Sequence, residues 1–462
     1  MFKYVLVLLA SCSKSIFKKN TPSSSSSSTT LIPIQCSNVA NANDVASATS
    51  WDSFLENGSY LLFNEQQILS LSAETILIDK KVELCANIDL QPLYDAGTPH
   101  FMLPGLDKDS VFNGNNFTLS NFTFVSTDPA LFSVALFQGG PANHPNFGTA
   151  QFPGINRGEI KNLIVDNIVI QAPSHLIGGI SAIHQMNPIT NVRILSGTLE
   201  NTRPMSPDGG AIGGIIGALD VSSTVITADN IILTDFIFEK NSTNIDLKYT
   251  NDGLAGNDFY SGGLIGYVFV TNIPDTSSTS IVLRNSFTNF NTFGNSFSSG
   301  LIAVISADGC NPGAAEKCTN VNIENTYSKA FHTVISSDLI PKTNYYAGIV
   351  GIVKNIPSVI KLLVNNSFSE LNFSTSGSSP SLTSLFDYTV HYSGAPSITD
   401  VFVNNFGVTT VPTIPVITET YLTNPTEAES YFYTNSGLPV NLWDDTAIWD
   451  FTGSDLPTLK LQ

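Results

Sequence analysis

The sequence is poor in charged residues, methionine and tryptophan, and these shortages limit what the chain can be. Only 13% of its 462 residues are Asp, Glu, Lys or Arg, and it contains 4 methionines and 3 tryptophans. Glu and Lys, which favour helices, are scarce, whereas Phe, Ile, Val, Thr, Ser, Asn and Gly are abundant. This composition favours strands and turns, and it predicts an all-β chain.

Basic residues are especially few. There are 20 Lys and Arg residues against 38 Asp and Glu residues, which gives a net charge of −18. Four of the basic residues lie near the N-terminus: Lys3, Lys14, Lys18 and Lys19. The rest of the chain is therefore still more acidic, so nucleic acid is not an expected partner.

The sequence also lacks the usual metal-binding patterns. It contains no EF-hand loop, no glycine-rich Ca²⁺ repeat and no Cys-x-x-Cys pair. Its six histidines are scattered along the chain: His100, His144, His175, His184, His332 and His391. We therefore expect no metal and no cofactor.

Only five cysteines are present, and the first follows a leader-like segment. Residues 4–9 form a short apolar run after Lys3, and Leu9-Ala10-Ser11-Cys12 follows it. These four residues resemble the lipobox of bacterial lipoproteins, which implies a signal peptide at residues 1–11 and a lipid on Cys12. A plain secretory signal is the alternative. The other cysteines could pair as Cys36 with Cys85 and Cys310 with Cys318, as in an exported protein.

No apolar run approaches the roughly 18–20 residues that span a bilayer, so an anchor would have to be the lipid. Residues 12–34 contain an unbroken serine run at 23–28 and predict a flexible tether. We therefore expect a protein of the cell envelope, at the outer surface or outer membrane, that is held to the membrane through Cys12. Secretion is the alternative.

One phrase recurs through the middle of the chain. It reads GGIIG at residues 213–217, GGLIG at 262–266, GLIA at 300–303 and AGIVG at 347–351. The copies start roughly 35–50 residues apart, which is the spacing of a solenoid, propeller or array. Alternating stretches such as IVLRNSF at residues 281–287 follow the copies, so one repeat supplies at least two short strands.

Stacked parallel coils account for these repeats, with inward side chains in apolar columns. Paired glycines predict tight corners at positive φ. Asparagines near strand ends could occupy left-handed corners, stack as side-chain ladders, or be plain turn residues. They are Asn191, Asn230, Asn285, Asn325, Asn366 and Asn404.

Two further segments carry a family resemblance. Residues 82–90 (VELCANIDL) and 111–122 (VFNGNNFTLSNF) resemble the opening of GLUG-motif right-handed β-helix surface proteins. The glycine phrases are similar to the GLUG repeat itself, and residues 449–459 are similar to the closing segment of that family. The resemblance covers about residues 82–462. It implies a right-handed parallel β-helix in a bacterial surface or secreted protein, with a motif that carries no catalytic residues.

A solenoid needs its open ends covered. We predict an N-terminal cap at residues 35–80, with Trp51, Phe54 and Leu55 on its apolar face and a helix starting near Ser50 or Asp52. The β-helix repeats are predicted at 81–415. A C-terminal cap is predicted at 416–462, where Trp443 and Trp449 would seal the last coil.

The function that these features favour is a non-catalytic adhesin or interaction module with a glycan or protein ligand. Its long corners are the candidate contact regions: residues 138–154, 241–260 and 306–318. The first alternative is a polysaccharide-active lyase or glycoside hydrolase, for which Asp444-Asp445 is the one directly adjacent carboxylate pair, although a turn explains that pair better. The second alternative is a structural spacer. We predict no catalytic residue.

Overall fold

The computed structural model describes residues 36, 42–139, 155–185, 187–203, 210–222, 236–249, 259–271, 279–293, 297–306, 319–335, 345–354, 360–376, 385–387, 390–392, 401–403, 406–409, 424–425, 432–436 and 439–460. Within these residues, long parallel sheets dominate, which confirms the all-β prediction. The helical segments there are short: Ala42–Ser47, Glu65–Ser72, Gln91–Asp95 and the 3-10 helix Val440–Leu442.

The largest sheet has 22 strands and takes two segments from most coils. The first set of strands in this sheet is Ser59–Leu62, Lys81–Leu84, Val111–Asn113, Glu159–Asp166, Ile189–Ile194, Phe236–Glu239, Thr279–Arg284, Thr319–Glu324, Ile360–Asn365 and Val401–Val403. The second set, farther along the coils, is Ile88–Asp89, Thr118–Ser120, Thr123–Val125, Ile168–Ala172, Gly197–Asn201, Ser242–Tyr249, Phe287–Phe293, Tyr327–Ile335, Phe368–Ser376, Phe406–Thr409 and Asn424–Pro425. Leu55–Glu56 joins as an antiparallel hairpin strand.

Two smaller sheets complete each coil, and each has seven parallel strands. The third strands of the coils are Ser133–Val134, Leu176–Gly178, Gly210–Gly213, Phe259–Gly262, Phe297–Ser299, Tyr345–Ala347 and Leu385–Asp387. The fourth strands are Ile155–Asn156, Ser181–His184, Ile216–Ser222, Ile265–Thr271, Ile302–Ser306, Val350–Lys354 and Val390–Tyr392. Two small pairs lie outside these sheets: Ile76–Leu77 with Gly105–Leu106, and Trp449–Asp450 with Thr458–Leu459. The chain is therefore a β-helix-like stack of parallel coils.

The interior is built from columns of apolar side chains, as the repeats predict. One column runs through five coils in strict register: Ile189, Phe238, Leu283, Ile323 and Val364. All five side chains are fully buried. Burying each such side chain stabilises the fold by about 1.5–3 kcal/mol, so the column holds neighbouring coils together.

The recurrent glycine phrase lies at the corner between the third and fourth strands. Gly213 and Gly262 end third strands, and Gly214 and Gly263 form the corners that follow. The prediction of positive φ is wrong, because none of these four glycines has it. A Cβ on Gly214 or Gly263 would instead collide with the carbonyl of the corner glycine in the next coil. Glycine is needed there for close backbone approach between coils.

One column of corners is formed by asparagines with left-handed backbone. Asn116, Asn162, Asn191, Asn285, Asn325 and Asn366 all have φ between 51° and 62°. Neighbouring side chains donate to one another, as from Asn191 to Asn162 (2.9 Å) and from Asn366 to Asn325 (3.3 Å). This confirms the left-handed prediction for Asn191, Asn285, Asn325 and Asn366; Asn230 and Asn404 lie outside the described residues. Lys240, with φ 56°, occupies the equivalent position in one coil.

The N-terminal segment differs in detail from the predicted cap. Strand Ser59–Leu62 pairs in parallel with Lys81–Leu84, so the main sheet starts before the predicted boundary at residue 81. The helix Glu65–Ser72 is capped by Asn64, whose side chain accepts from the Gln67 N–H (3.0 Å), rather than by Ser50 or Asp52. Leu55 is 61% exposed, so it does not belong to an apolar face.

The C-terminal segment lies along the side of the coils. We call residues 432–436 and 439–460 the C-terminal strap. Its indole Trp443 Nε1 donates to the Asn366 carbonyl (2.9 Å), and its Leu459 carbonyl accepts from Arg193 (3.0 Å). Asn366 and Arg193 are four coils apart, so the described contacts of the strap follow the flank of the main sheet. Trp443 and Trp449 cover that flank, whereas we predicted that they would seal the last coil.

Candidate interaction surface

The strap covers one outward column of the main sheet, just beyond the asparagine corner. The covered column consists of Arg193, Ser242, Phe287, Tyr327 and Phe368 in register. Its three rings stack nearly parallel, with centroids 4.9 Å apart at each step.

The strap adds rings and hydrogen bonds to that column. Phe432 stacks on Phe368 (3.9 Å), and the Tyr327 hydroxyl donates to the Pro457 carbonyl (2.8 Å). Trp449 is fully buried and Trp443 is 3% exposed. Because both indoles are buried against the coils, neither offers a free ring to a ligand.

A second outward surface lies farther along the same strands. We call it the outer face. Side chains alternate between inside and outside along each strand, so every second residue points outward. The outer face comprises two neighbouring columns in register, the first Thr198, Asp246, Asn291 and Phe331, and the second Glu200, Lys248, Phe293 and Thr333.

The polar groups of the outer face are linked across coils. The Asn291 amide donates to Asp246 Oδ1 (2.8 Å), and Lys248 Nζ lies 3.6 Å from Asp246 Oδ2. Lys248 Nζ also lies 5.3 Å from the centre of the Phe293 ring, which is cation–π distance. A carboxylate, an amide and an ammonium group are thus held beside an aromatic ring.

Phe331 gives the outer face an apolar element that is open to solvent. Its side chain is 41% exposed, while its neighbours Ala330 and His332 are fully buried in the coil interior. Phe293 is half-buried one coil earlier, in the adjacent column. Rings and hydrogen-bonding groups that alternate on a flat, rigid sheet can bind an extended ligand that has both apolar faces and hydroxyl or amide groups.

The long corners predicted as contact regions fall mostly outside the described residues, apart from 138–139, 241–249, 259–260 and 306. Strand Ser242–Tyr249 belongs to the middle corner and supplies Asp246 and Lys248 to the outer face. Phe293 and Phe331 were not predicted as site residues. The alternation FTNFNTF in Phe287–Phe293 is the signal that could have found them, since it points Phe287, Asn291 and Phe293 to one side.

Asp444 and Asp445, the adjacent carboxylates considered for the enzyme alternative, accept hydrogen bonds in a turn of the strap. Asp444 Oδ1 accepts hydrogen bonds from the Thr446 hydroxyl (2.7 Å) and from the N–H groups of Thr446 and Ala447 (both 3.0 Å). These bonds, the Thr446 hydroxyl first, lower the pKa of Asp444 below its usual value. A glycosidase general acid needs a raised pKa, so Asp444 is not suited to that role. Asp445 accepts from the Asn435 amide.

Three carboxylates lie close together near the N-terminal end. One oxygen from each of Asp79, Asp107 and Asp109 falls within 4.8 Å of the others. Asp107 is 4% exposed, and its Oδ1 accepts from the Ser110 hydroxyl (2.8 Å) and from the Asp109 and Asp79 N–H groups (3.1 and 3.3 Å). Asp107 thus closes a local turn, and we assign the cluster this structural role.

Two histidines are buried in the coil interior. His184 Nε2 lies 2.8 Å from the Asn187 carbonyl, and His332 Nδ1 lies 2.6 Å from the Thr292 hydroxyl. Burial lowers the pKa of His184 to about 4 and that of His332 to about 3, because the charged imidazolium would lose its hydration. Both rings are therefore neutral near pH 7.

Of the cysteines, Cys36 and Cys85 form a disulfide, with Cα atoms 5.4 Å apart. This pair was one of the two predicted. Cys12, Cys310 and Cys318 lie outside the described residues, so the lipid anchor and the second pair stay predictions. No helix in the described part of the chain combines the length and apolar character needed to cross a membrane.

Comparison with known proteins adds little to this account. No protein-family model matches the chain, and no curated protein matches it. Among solved structures, it is similar to a Bacteroides ovatus protein provisionally described as an immunoglobulin A1 protease. The two are 15% identical with a TM-score of 0.46, and the match covers 90% of this chain and 97% of that one. The GLUG resemblance and the lipoprotein signal remain predictions.

Proposed function

We propose that this protein is a lipid-anchored, non-catalytic interaction protein of the cell surface, of the adhesin class, which binds its ligand on the outer face. The outer face itself carries the proposal. It presents an exposed ring, Phe331, beside a fixed set of polar groups around Asp246, on a sheet whose opposite side is a packed core. Rigid presentation reduces the entropy lost on binding.

The disulfide supports export. Bonds of this kind persist in oxidising compartments such as the periplasm and the cell exterior. Cys36 lies two residues after the end of the predicted tether at 12–34, and Cys85 follows strand Lys81–Leu84. Under the proposed lipidation of Cys12, the disulfide fastens the tether to one of the first coils, and the remaining coils extend away from that attachment.

We also propose a right-handed winding and covered ends. Right-handed crossover connections are by far the commonest between parallel strands of one sheet. At the N-terminal end, Ile68 and Leu71 of helix Glu65–Ser72 are fully buried together with Leu62 of the first parallel strand, as expected for a covering element. An experimental structure that showed left-handed coils or an open first coil would overturn this part.

The anchor is tested by metabolic labelling with a palmitate analogue in a bacterial host that processes lipoproteins. The wild-type chain is expected to incorporate label and to partition with membranes, and Cys12→Ser is expected to lose both properties. Ser13→Ala serves as the control because it leaves the four-residue motif intact. Equal labelling of Cys12→Ser and wild type would refute the anchor.

Binding is tested on cells that display the full chain. Adhesion to polysaccharide-coated and protein-coated surfaces is measured, together with the chain length of each polysaccharide after incubation. Adhesion without shortening is the expected result. Shortening would establish the enzyme alternative, and the absence of adhesion to both polysaccharide and protein surfaces would establish a spacer.

A further inference from the structure

We infer that the ligand of the outer face is an extended, uncharged polysaccharide that runs across the strands, along the stacking direction of the coils. This inference rests on the proposed binding function and names its ligand class. It is carried by the juxtaposition of two phenyl rings and three polar groups on three successive coils: Asp246 and Lys248, then Asn291 and Phe293, then Phe331.

The rings select for a ligand with flat apolar faces. Phe293 and Phe331 lie on neighbouring coils and in neighbouring columns, so each ring can receive a different unit of one extended chain. Pyranose rings present such a face through their axial C–H bonds, and burying it against a phenyl ring removes apolar surface of both partners from water.

The polar groups select for hydroxyls. Asp246 accepts hydrogen bonds, Lys248 donates them, and the Asn291 side chain can do both. A hydroxyl group is also both donor and acceptor, so it can insert among these three groups and replace solvent on each. The contacts already present between them, 2.8 Å from Asn291 to Asp246 and 3.6 Å from Lys248 to Asp246, hold the three in place before binding.

Charge argues against an acidic ligand. Asp246 and Glu200 outweigh Lys248 on the outer face, and the whole chain carries a net charge of −18. A uronic-acid or sulfated polysaccharide, or a nucleic acid, would be repelled at long range. A neutral polysaccharide would not be repelled in this way.

The geometry of the sheet fits a repeating ligand. Neighbouring parallel strands are about 4.8 Å apart, which is close to the length of one hexose unit in an extended polysaccharide. Successive sugar units can therefore meet equivalent positions on successive coils, from Asp246 through Asn291 to Phe331.

The experiment measures binding of the purified full chain by calorimetry to two matched sets of soluble polysaccharides. The neutral set contains a β-glucan, a mannan and a galactan, and the acidic set contains a pectate, an alginate and a sulfated galactan. We expect at least one neutral polymer to bind and Phe331→Ala or Asn291→Ala to weaken that binding at least about tenfold. Phe331→Tyr keeps the ring and should bind within about threefold of wild type.

The matched control is Leu442→Ala, which truncates a 51% exposed apolar side chain on the strap, away from the outer face. It should leave binding unchanged. Binding of acidic polymers that depends on Phe331 would overturn the ligand class while the proposed binding function stands. Neutral binding that Phe331→Ala leaves unchanged, or no binding to either set, would overturn the inference.

Discussion

Two groups of aromatic side chains lie on the same sheet and have opposite surroundings. Phe287 and Tyr327 are stacked under the strap, whereas Phe293 and Phe331, on the same two strands, face outward without it. The spacing within each strand is even, so both groups point to the outside of the coil. Strand alternation therefore decides which rings leave the core, but a segment from far along the chain decides which of them stay exposed.

This difference separates structural from ligand-binding aromatics. In the covered column, rings fit closely with Trp443, Trp449 and Phe432 and cannot be reached without moving the strap. On the outer face, rings alternate with hydrogen-bonding groups and no strap residue covers them in the described structure. We expect the first group to contribute stability and the second to contribute binding.

The largest expected effect tests the covered column. Trp449→Ala removes a fully buried indole that contacts Phe287, Tyr327 and Trp443, and should lower the free energy of unfolding by about 3–5 kcal/mol. Phe331→Ala, the matched truncation on the outer face, should change it by less than about 0.5 kcal/mol. Urea unfolding followed by circular dichroism measures the free energy of unfolding of both variants. Equal decreases would show that covered and exposed rings do not differ in their contribution to stability.

The buried side of the same strands predicts a dependence of stability on pH. Burial holds the pKa of His332 at about 3, below the usual 6.5, so the unfolded chain takes up a proton more readily between these values. Lowering the pH from 7 to 5 should therefore reduce the free energy of unfolding by about 2 kcal/mol through His332.

The variants for this dependence are His332→Gln and His184→Gln. Each removes one buried ring whose pKa is lowered, and each should remove that ring's share of the pH dependence while the share of the other ring remains. Identical pH profiles for His332→Gln and wild type would contradict the assignment.

Arg193 tests how the far end of the strap is held. Its guanidinium donates to the Leu459 carbonyl (3.0 Å) and the Lys460 carbonyl (2.5 Å), and the residue is 7% exposed. Arg193→Gln should cost about 1–3 kcal/mol and speed amide hydrogen exchange near residue 459. Arg284→Gln breaks a partly exposed ion pair with Glu239 (2.9 Å) and should cost under 1 kcal/mol. Unchanged exchange in Arg193→Gln would show that the rings alone hold the strap.

The smallest effect concerns the corner that precedes the covered column. Lys240 has a left-handed backbone, which is costly for lysine but is adopted more readily by asparagine. Lys240→Asn should raise the free energy of unfolding by about 0.5–1 kcal/mol, and Asn285→Lys, at the equivalent corner of the next coil, should lower it. A loss of stability in Lys240→Asn would mean that the lysine makes a compensating contact.

Much of the fold could be predicted from the sequence, because the coils repeat. The glycine phrases marked one corner of each coil, and four of the predicted asparagines lie at the left-handed corner. The role of the glycines was mistaken, since a sequence does not distinguish a glycine needed for positive φ from one needed for close approach. That distinction depends on the neighbouring coil, about 40 residues away.

The positions of the strap and the outer face could not be predicted from the repeats. Trp449 contacts residues that are far from it in the chain, and nothing local identifies them. A signal was nevertheless present, because an aromatic residue recurs two positions after the corner asparagine, in Asn285-Ser286-Phe287, Asn325-Thr326-Tyr327 and Asn366-Ser367-Phe368. Such a recurrence predicts an outward aromatic column, but only the structure shows what covers it.

Carbene footprinting of the full chain, with and without a bound neutral polysaccharide, reports exposure ring by ring and so separates the covered rings from those of the outer face. We expect strong labelling of Phe331 and weak labelling of Tyr327 and Trp449 in the free protein, with loss of Phe331 labelling when the polysaccharide binds. Equal labelling of Phe331 and Tyr327, or labelling of Phe331 that the bound polysaccharide leaves unchanged, would contradict this expectation.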